Sequence, residues 1–271
     1  MNDLTHNRMS LPFSFDGSRE HGVLVIHGFT GTPGEVLPLG TAIAGAGLRV
    51  EGVCLPGHGT TPRDMSTARW RDWLSCVLNA FDALAEECKK VSVVGLSMGG
   101  TLALLLAERR PVYRAVPIAA ALRVWNKWAS LAPFFRWIKP YYTEPRKNPP
   151  PEVAASYEGF LHPYKAGYDC IPLRSMGDLN RLRAMARRDL EKITCPMLVV
   201  EAGMDQTVHP KSAAWIMDRA VNAEREKLLL PASPHVCTLG KERALLFKRV
   251  IGFLTGRPAA QTHDGKTFSS L

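Results

Sequence analysis

Val91-Ser-Val-Val-Gly95-Leu96-Ser97-Met98-Gly99-Gly100-Thr101-Leu102-Ala103 is the stretch that decides the fold, and it reads as strand, sharp turn, helix. The turn carries G-x-S-x-G. This spacing holds the serine in a strained backbone conformation and leaves no room for side chains two residues to either side. Gly95 and Gly99 supply that clearance. The turn lifts the Ser97 hydroxyl above a sheet, at the positive end of the following helix, where the Met98 N–H can stabilise an oxyanion. Ser97 is therefore a candidate nucleophile and Met98 a candidate oxyanion donor.

Outward from this turn, short β-like runs alternate with longer helical patterns, the signature of parallel strands joined by helices. The runs are Gly22–His27, Leu48–Val53, Val91–Gly95, Tyr113–Ile118, Pro196–Glu201 and Lys227–Leu230, with helical segments near 33–46, 69–88, 99–110, 210–221 and 240–255. Several runs are apolar on both parities, as strands covered on both faces must be. Thr32-Pro33-Gly34-Glu35 reads as a capping box that opens the first helix. The rhythm breaks between residues 120 and 192. That stretch has no strand signal and gathers Trp125, Trp128, Phe134, Phe135, Trp137, Tyr141 and Tyr142. The expected organisation is an α/β core from 1–119 and 193–256: a mostly parallel central sheet flanked by helices. Residues 120–192 form a helical cap inserted between strands, and 257–271 form a polar, disordered tail.

Each remaining candidate follows a strand. The loop His27-Gly28-Phe29-Thr30-Gly31 comes after the first one, and Phe29 is expected to give the second oxyanion N–H. His27 is expected to brace that loop through its ring, and His58, in Pro56-Gly57-His58-Gly59, to serve a turn. A serine hydroxyl needs a positioned base, with a third group to fix its tautomer. Of the histidines downstream of Ser97, His162 lies in the cap, His263 in the tail and His209 at a helix start. His235, in Pro231-Ala-Ser-Pro-His235, follows the last strand and is the expected base. Asp205, just past the Pro196–Glu201 run, is the expected acid; Asp178 and Asp189 belong to the cap and its exit, and Glu201 to the strand.

Composition narrows the class. The 271 residues are 46% hydrophobic and 22% charged, and the six scattered cysteines have no CxxC spacing, so free thiols are expected and neither a metal nor a cofactor is called for. The first fifteen residues lack a continuous apolar core for a signal peptide, and the longest apolar run, Leu102–Ala107, is too short to cross a bilayer. A cytoplasmic location without stable membrane insertion is expected. Of the net charge of +9, +6 falls between 120 and 192, where thirteen Lys and Arg are interspersed with seven Asp and Glu. No continuous basic stripe results, so nucleic acid is not an expected partner; attraction to an anionic lipid surface is the weaker alternative.

Taken together, H-G-F-T-G at 27–31, P-G-H-G at 56–59, G-L-S-M-G-G at 95–100, G-M-D at 203–205 and P-H-V at 234–236 resemble the α/β-hydrolase superfamily, in its bacterial carboxylesterase and monoacylglycerol lipase branch. The resemblance implies hydrolysis of short- and medium-chain acyl esters, monoacylglycerols included, with a small-molecule ester as partner. It carries Ser97, Asp205 and His235 onto the family triad, and Phe29 and Met98 onto its oxyanion donors. Two positions depart from the family pattern: the amino-terminal hairpin is short or missing, and Pro234 precedes the histidine where a small residue is usual. The aromatic crowd, with Trp125, Trp128 and Trp137 as substrate-binding candidates, is expected to roof an acyl chain or simply to pack the cap. Other triad enzymes on this fold (a perhydrolase or haloperoxidase, a carbon–carbon bond hydrolase, an acyltransferase) stay open at this point, as does a ligand receptor.

Overall fold

The computed structural model describes residues 1–126, 137, 139–143 and 150–256. After β1 (Phe13–Phe15) come β2 (Ser18–Ile26), α1 (Leu37–Gly45), β3 (Leu48–Val53), α2 (Pro62–Thr67), α3 (Trp70–Glu87), β4 (Val91–Leu96), α4 (Met98–Ala107) and β5 (Ala115–Ile118). The inserted stretch contributes β6 (Tyr141–Tyr142), α5 (Pro151–Ala155), β7 (Ile171–Pro172) and α6 (Leu173–Arg188). The chain then returns through β8 (Met197–Ala202), α7 (Lys211–Arg219), β9 (Arg225–Leu230) and α8 (Arg243–Thr255).

Seven strands build one sheet in the order β1-β3-β2-β4-β5-β8-β9. Only β1 runs antiparallel to its neighbour; β2 pairs with β4 in parallel from Gly22 opposite Val91 to Ile26 opposite Gly95. Side chains alternate across a strand, and the core divides accordingly. Val23 and Val25 join Val94, Leu96, Val116 and Val200 beneath Leu39 and Ile43 of α1 and Leu246 and Val250 of α8. Leu24 and Ile26 join Val93, Met197 and Val199 on the opposite face, under α3, α4, α6 and α7. Covering on both faces is why the inner strands carry apolar residues on both parities. Helix α4 is buried along all ten residues, pressed between the sheet and α6, and so shows no polar face.

The structure corrects two local expectations. The inserted stretch does contain strand: β6 pairs antiparallel with β7, only two residues each, and Pro172 leaves that pair without one N–H. The capping box does not form. Residues Pro33–Glu35 make a separate 3-10 turn, the Thr32 hydroxyl makes no hydrogen bond, and Glu35 is buried. At the amino terminus, the three-residue β1 is a short edge strand, and it lies on β3 rather than β2. Trp128, Phe134, Phe135 and the 257–271 tail lie outside the described residues.

Candidate active site

Parallel strands converge their carboxyl ends on one edge of the sheet, and three non-glycine residues with left-handed backbone sit there: Thr30, Ser97 and Ala119, with φ of 62°, 57° and 43°. They follow β2, β4 and β5. Such conformations persist only where surrounding structure holds them. At Ser97 the holding is explicit. Its N–H donates to the Ile118 carbonyl at 2.8 Å, and its own carbonyl accepts from Thr101 at 3.0 Å and Ala121 at 3.1 Å. A Cβ at Gly95 would overlap the Gly99 carbonyl, and one at Gly99 would overlap the carbonyls of Ile26 and His27 on the neighbouring strand. The two glycines of G-x-S-x-G are thus required by a crossing of backbone on backbone.

The fold brings the three expected residues together. Ser97 Oγ lies 2.9 Å from His235 Nε2, and His235 Nδ1 lies 2.6 Å from Asp205 Oδ2. The other carboxylate oxygen, Asp205 Oδ1, accepts the N–H groups of Thr207 at 2.7 Å and Val208 at 2.8 Å, which fixes the carboxylate plane. All three side chains are largely shielded, with Ser97 and Asp205 each 7% exposed. Burial alone would lower the His235 pKa, but the Asp205 carboxylate, by charge and by hydrogen bond, together with Glu35, raises it above the ordinary imidazole value. With Nδ1–H donated to Asp205, Nε2 is left as an acceptor facing the Ser97 hydroxyl.

The two residues expected as oxyanion donors lie close to this serine in the chain or in space: Met98 directly follows it, and Phe29 follows Gly28, where an added Cβ would come within 3.4 Å of Ser97 Cβ. The Met98 N–H opens α4 and so has no acceptor within the helix. Phe29 lies between Gly28 and the left-handed Thr30, whose hydroxyl donates to the Phe29 carbonyl at 2.6 Å. His27 underpins the loop as expected: its Nδ1–H donates to the Gly28 carbonyl at 2.8 Å, and its Nε2 accepts the Leu55 N–H at 3.1 Å. Burial pushes the His27 pKa down to about 4 and that of His58 to about 3, so both are neutral. His58 packs edge-on to His27, Phe29 and Trp73, with centroids 5.1, 6.3 and 5.7 Å away, and does not reach the triad.

The rejected candidates have other work. His209 stacks on Trp125 at 4.2 Å and accepts the Lys211 N–H at 3.1 Å. Asp178 is buried against Arg69 at 3.0 Å, Asp189 pairs with Arg188 at 2.7 Å, and Glu201 stays in β8 and pairs with Lys227 at 2.8 Å. Trp125 braces the acid loop, donating its indole N–H to the Asp205 carbonyl at 3.0 Å. Trp137 is 83% exposed and lines a surface cleft of about 350 Å³ with Arg69, Tyr141 and Arg174, which no triad residue borders. Sequence reasoning missed Glu35 as part of this region; a carboxylate at a helix start is so commonly a cap that only its burial distinguishes it. Among the described residues, no three His, Cys, Asp or Glu side chains gather as a metal site. No helix there is long and apolar enough to cross a membrane.

Known proteins share this architecture. The sequence profile of the alpha/beta hydrolase family matches residues 23–244. The chain is 35% identical over 239 residues to a thermostable monoacylglycerol lipase of Bacillus sp. (strain H-257), covering 86% of this chain and 89% of that one. It is 27% identical over 244 residues to a carboxylesterase of Bacillus subtilis (strain 168), covering 90% and 95%. Among solved structures, one reported for the metagenome-derived lipolytic enzymes LipS and LipT superposes with a TM-score of 0.84 at 30% identity, over 92% of this chain and 98% of that one. With its elbow serine at the end of β4 and a matching profile across most of its length, the chain belongs to the alpha/beta hydrolase family, in the carboxylesterase and monoacylglycerol lipase branch.

Proposed function

We propose that this protein hydrolyses carboxylic esters of short- to medium-chain acids, monoacylglycerols among them, through an acyl-enzyme on Ser97. The observation that carries the reading is the unbroken line from Ser97 Oγ through His235 to Asp205, at 2.9 and 2.6 Å. Ser97 Oγ attacks the ester carbonyl carbon while its proton passes to His235 Nε2, and the carbonyl oxygen gains negative charge facing the Phe29 and Met98 N–H groups. Collapse breaks the bond to the alcohol, which leaves with the proton from His235. Water then repeats the sequence: His235 takes its proton, the hydroxyl attacks the acyl carbon, and Ser97 recovers its proton as the acid departs. The Asp205 carboxylate holds the tautomer throughout and stabilises the transient imidazolium.

Residues 120–192 serve as the cap. Support comes from the stretch 164–168, where the Tyr168 N–H donates to the Thr30 carbonyl at 3.0 Å and Gly167 packs on the same carbonyl. The six free thiols support work in a reducing cytoplasm. The names of the two Bacillus relatives support the ester and monoacylglycerol assignment.

The test is covalent labelling. An organophosphonate is expected to add its mass to the peptide bearing Ser97, and Ser97→Ala to lose both label and the release of fatty acid from a medium-chain monoacylglycerol, while melting near the wild-type temperature. A label on another residue, or an Ala variant with near-wild-type turnover, would overturn the assignment.

A further inference from the structure

Glu35 is a buried carboxylate at the meeting point of three segments of the site, and the ester hydrolysis just described does not use it. It is 6% exposed, and its carboxyl sits directly under the oxyanion loop. A Cβ at Gly31 would overlap that carboxyl, and one at Gly28 would come within 3.4 Å of both Glu35 Oε2 and Ser97 Cβ. The Gly28 backbone also lies near enough to this carboxyl to favour its charged form. The Glu35 main chain is also tied down, because its carbonyl accepts the Thr238 hydroxyl at 2.6 Å, three residues past His235. On the third side, the Tyr164 carbonyl lies against Gly34. The oxyanion loop, the histidine loop and the 164–168 stretch therefore all rest on the turn that ends at Glu35.

We propose that Glu35 is a positioning residue: its carboxyl props the Gly28–Gly31 backbone so that the Phe29 N–H faces Ser97, and its charge acts on His235. The proposal rests on the reading of Ser97 as nucleophile with Phe29 as an oxyanion donor. Burial pushes the Glu35 carboxyl up to about 7, against the opposing pull of Lys165, His235 and the Gly28 backbone. The charged groups facing His235 are Asp205 and Glu35, which raise its pKa, and Lys165, which lowers it. Glu35 thus gains or loses its charge near neutral pH, and each charge state alters the base.

Signs follow from those partners. Glu35→Gln keeps the shape but removes an anion, so the acid limb of kcat/KM moves to lower pH and narrows toward a single proton. Lys165→Met removes a cation from the same surroundings and moves the limb to higher pH. Glu35→Ala removes the prop as well, and lowers kcat by roughly tenfold to a hundredfold, less than the loss of a whole oxyanion donor. Gly31→Ala displaces the carboxyl, so its loss is large in the wild-type background and small in Glu35→Ala.

The experiment measures kcat and KM from pH 5 to 9 for these four variants and the Gly31→Ala, Glu35→Ala double variant, with organophosphonate labelling of each. Opposite limb shifts for Glu35→Gln and Lys165→Met, with kcat largely retained in Glu35→Gln and lost in Glu35→Ala, are the expected result. An acid limb that stays in place in both charge variants overturns the proposal, as does additive loss in the double variant. Where Glu35→Ala fails to fold, Glu35→Gln and Lys165→Met still decide. A label on Ser97 alongside unmoved profiles sinks the role of Glu35 alone; a label elsewhere sinks the reading beneath it.

Discussion

In the roles proposed for them, His235 as base and Asp205 as its orienting carboxylate, the two residues divide the work unequally, and substitution should show it. Removing the base leaves Ser97 unactivated, whereas removing the carboxylate leaves an imidazole with the wrong tautomer favoured but still present. His235→Ala is expected to lower kcat by about a further tenfold or more than Asp205→Ala. His209→Ala, which only loses a ring stacked on Trp125 at 4.2 Å, should change kcat little. Because the base must be neutral, kcat/KM of the wild type should fall as pH drops through a His235 pKa that lies above the ordinary imidazole value. Steady-state kinetics on one ester across pH checks all of this; a large loss at His209 with little at His235 would reverse the assignment. That Ser97, His235 and Asp205 come together was legible in sequence because each follows a strand in a sheet whose carboxyl ends converge. Trp125 was not, since an aromatic in an aromatic-rich stretch says nothing of whether its N–H reaches a backbone carbonyl. Glu35 was misread for a physical reason: the same spacing that makes a capping box also lets the carboxyl turn inward when glycines lie opposite.

At the scale of elements, the elbow is a contact between backbones rather than a run of preferred residues. Gly99→Ala forces a methyl into the carbonyls of Ile26 and His27, and neither can yield without bending β2. A cost of roughly 1–3 kcal/mol is expected, as for other overpacked sites, together with loss of activity because His27 carries the oxyanion loop. Urea melting compared with Ala103→Gly, a change on the same helix away from the crossing, checks that the effect is the clash. Equal destabilisation without loss of turnover would mean the loop does not register the strain. Inner strands such as β4 and β5 could be read because burial on both faces leaves a nearly apolar run with turn residues around it, while β3 alternates and edge strand β9 shows an apolar run only at its end. Strand β1, of three residues, and the two-residue pair β6–β7 could not, because their pairing is set by neighbours distant in sequence, and Pro172 argues locally against strand. Helix α6 carries a polar majority, and its apolar residues show only where it packs on α4, α3 and α2.

For the molecule as a whole, five shielded titratable groups with large shifts pull the acid response of stability in opposite directions. His21, His27 and His58 are held neutral, with pKa values pushed by burial from 6.5 down to about 4, 4 and 3. Between pH 6.5 and about 4 the unfolded chain binds their protons and the folded one does not, so their contribution is lost as pH falls. Glu35 and Glu108 run the other way: burial raises both from 4.5 to about 7, so the folded chain holds their protons and stability is lost as pH rises through that window. Near pH 6.5 the two sets nearly cancel, three half-titrated histidines against two mostly protonated glutamates. Toward pH 4.5 the unfolded glutamates protonate as well and cease to oppose, leaving an imbalance of between one and two protons, or roughly 2 kcal/mol per pH unit. Urea melts at pH 7, 6, 5 and 4.5 should therefore show a plateau near neutrality and a decline that sets in below about 5.5. Glu35→Gln removes one opposing group and should bring the onset of that decline closer to neutral pH. A wild-type protein that already loses stability steeply between pH 7 and 6 would mean that the two glutamates titrate as exposed ones do, and that the oxyanion loop does not rest on a buried carboxyl.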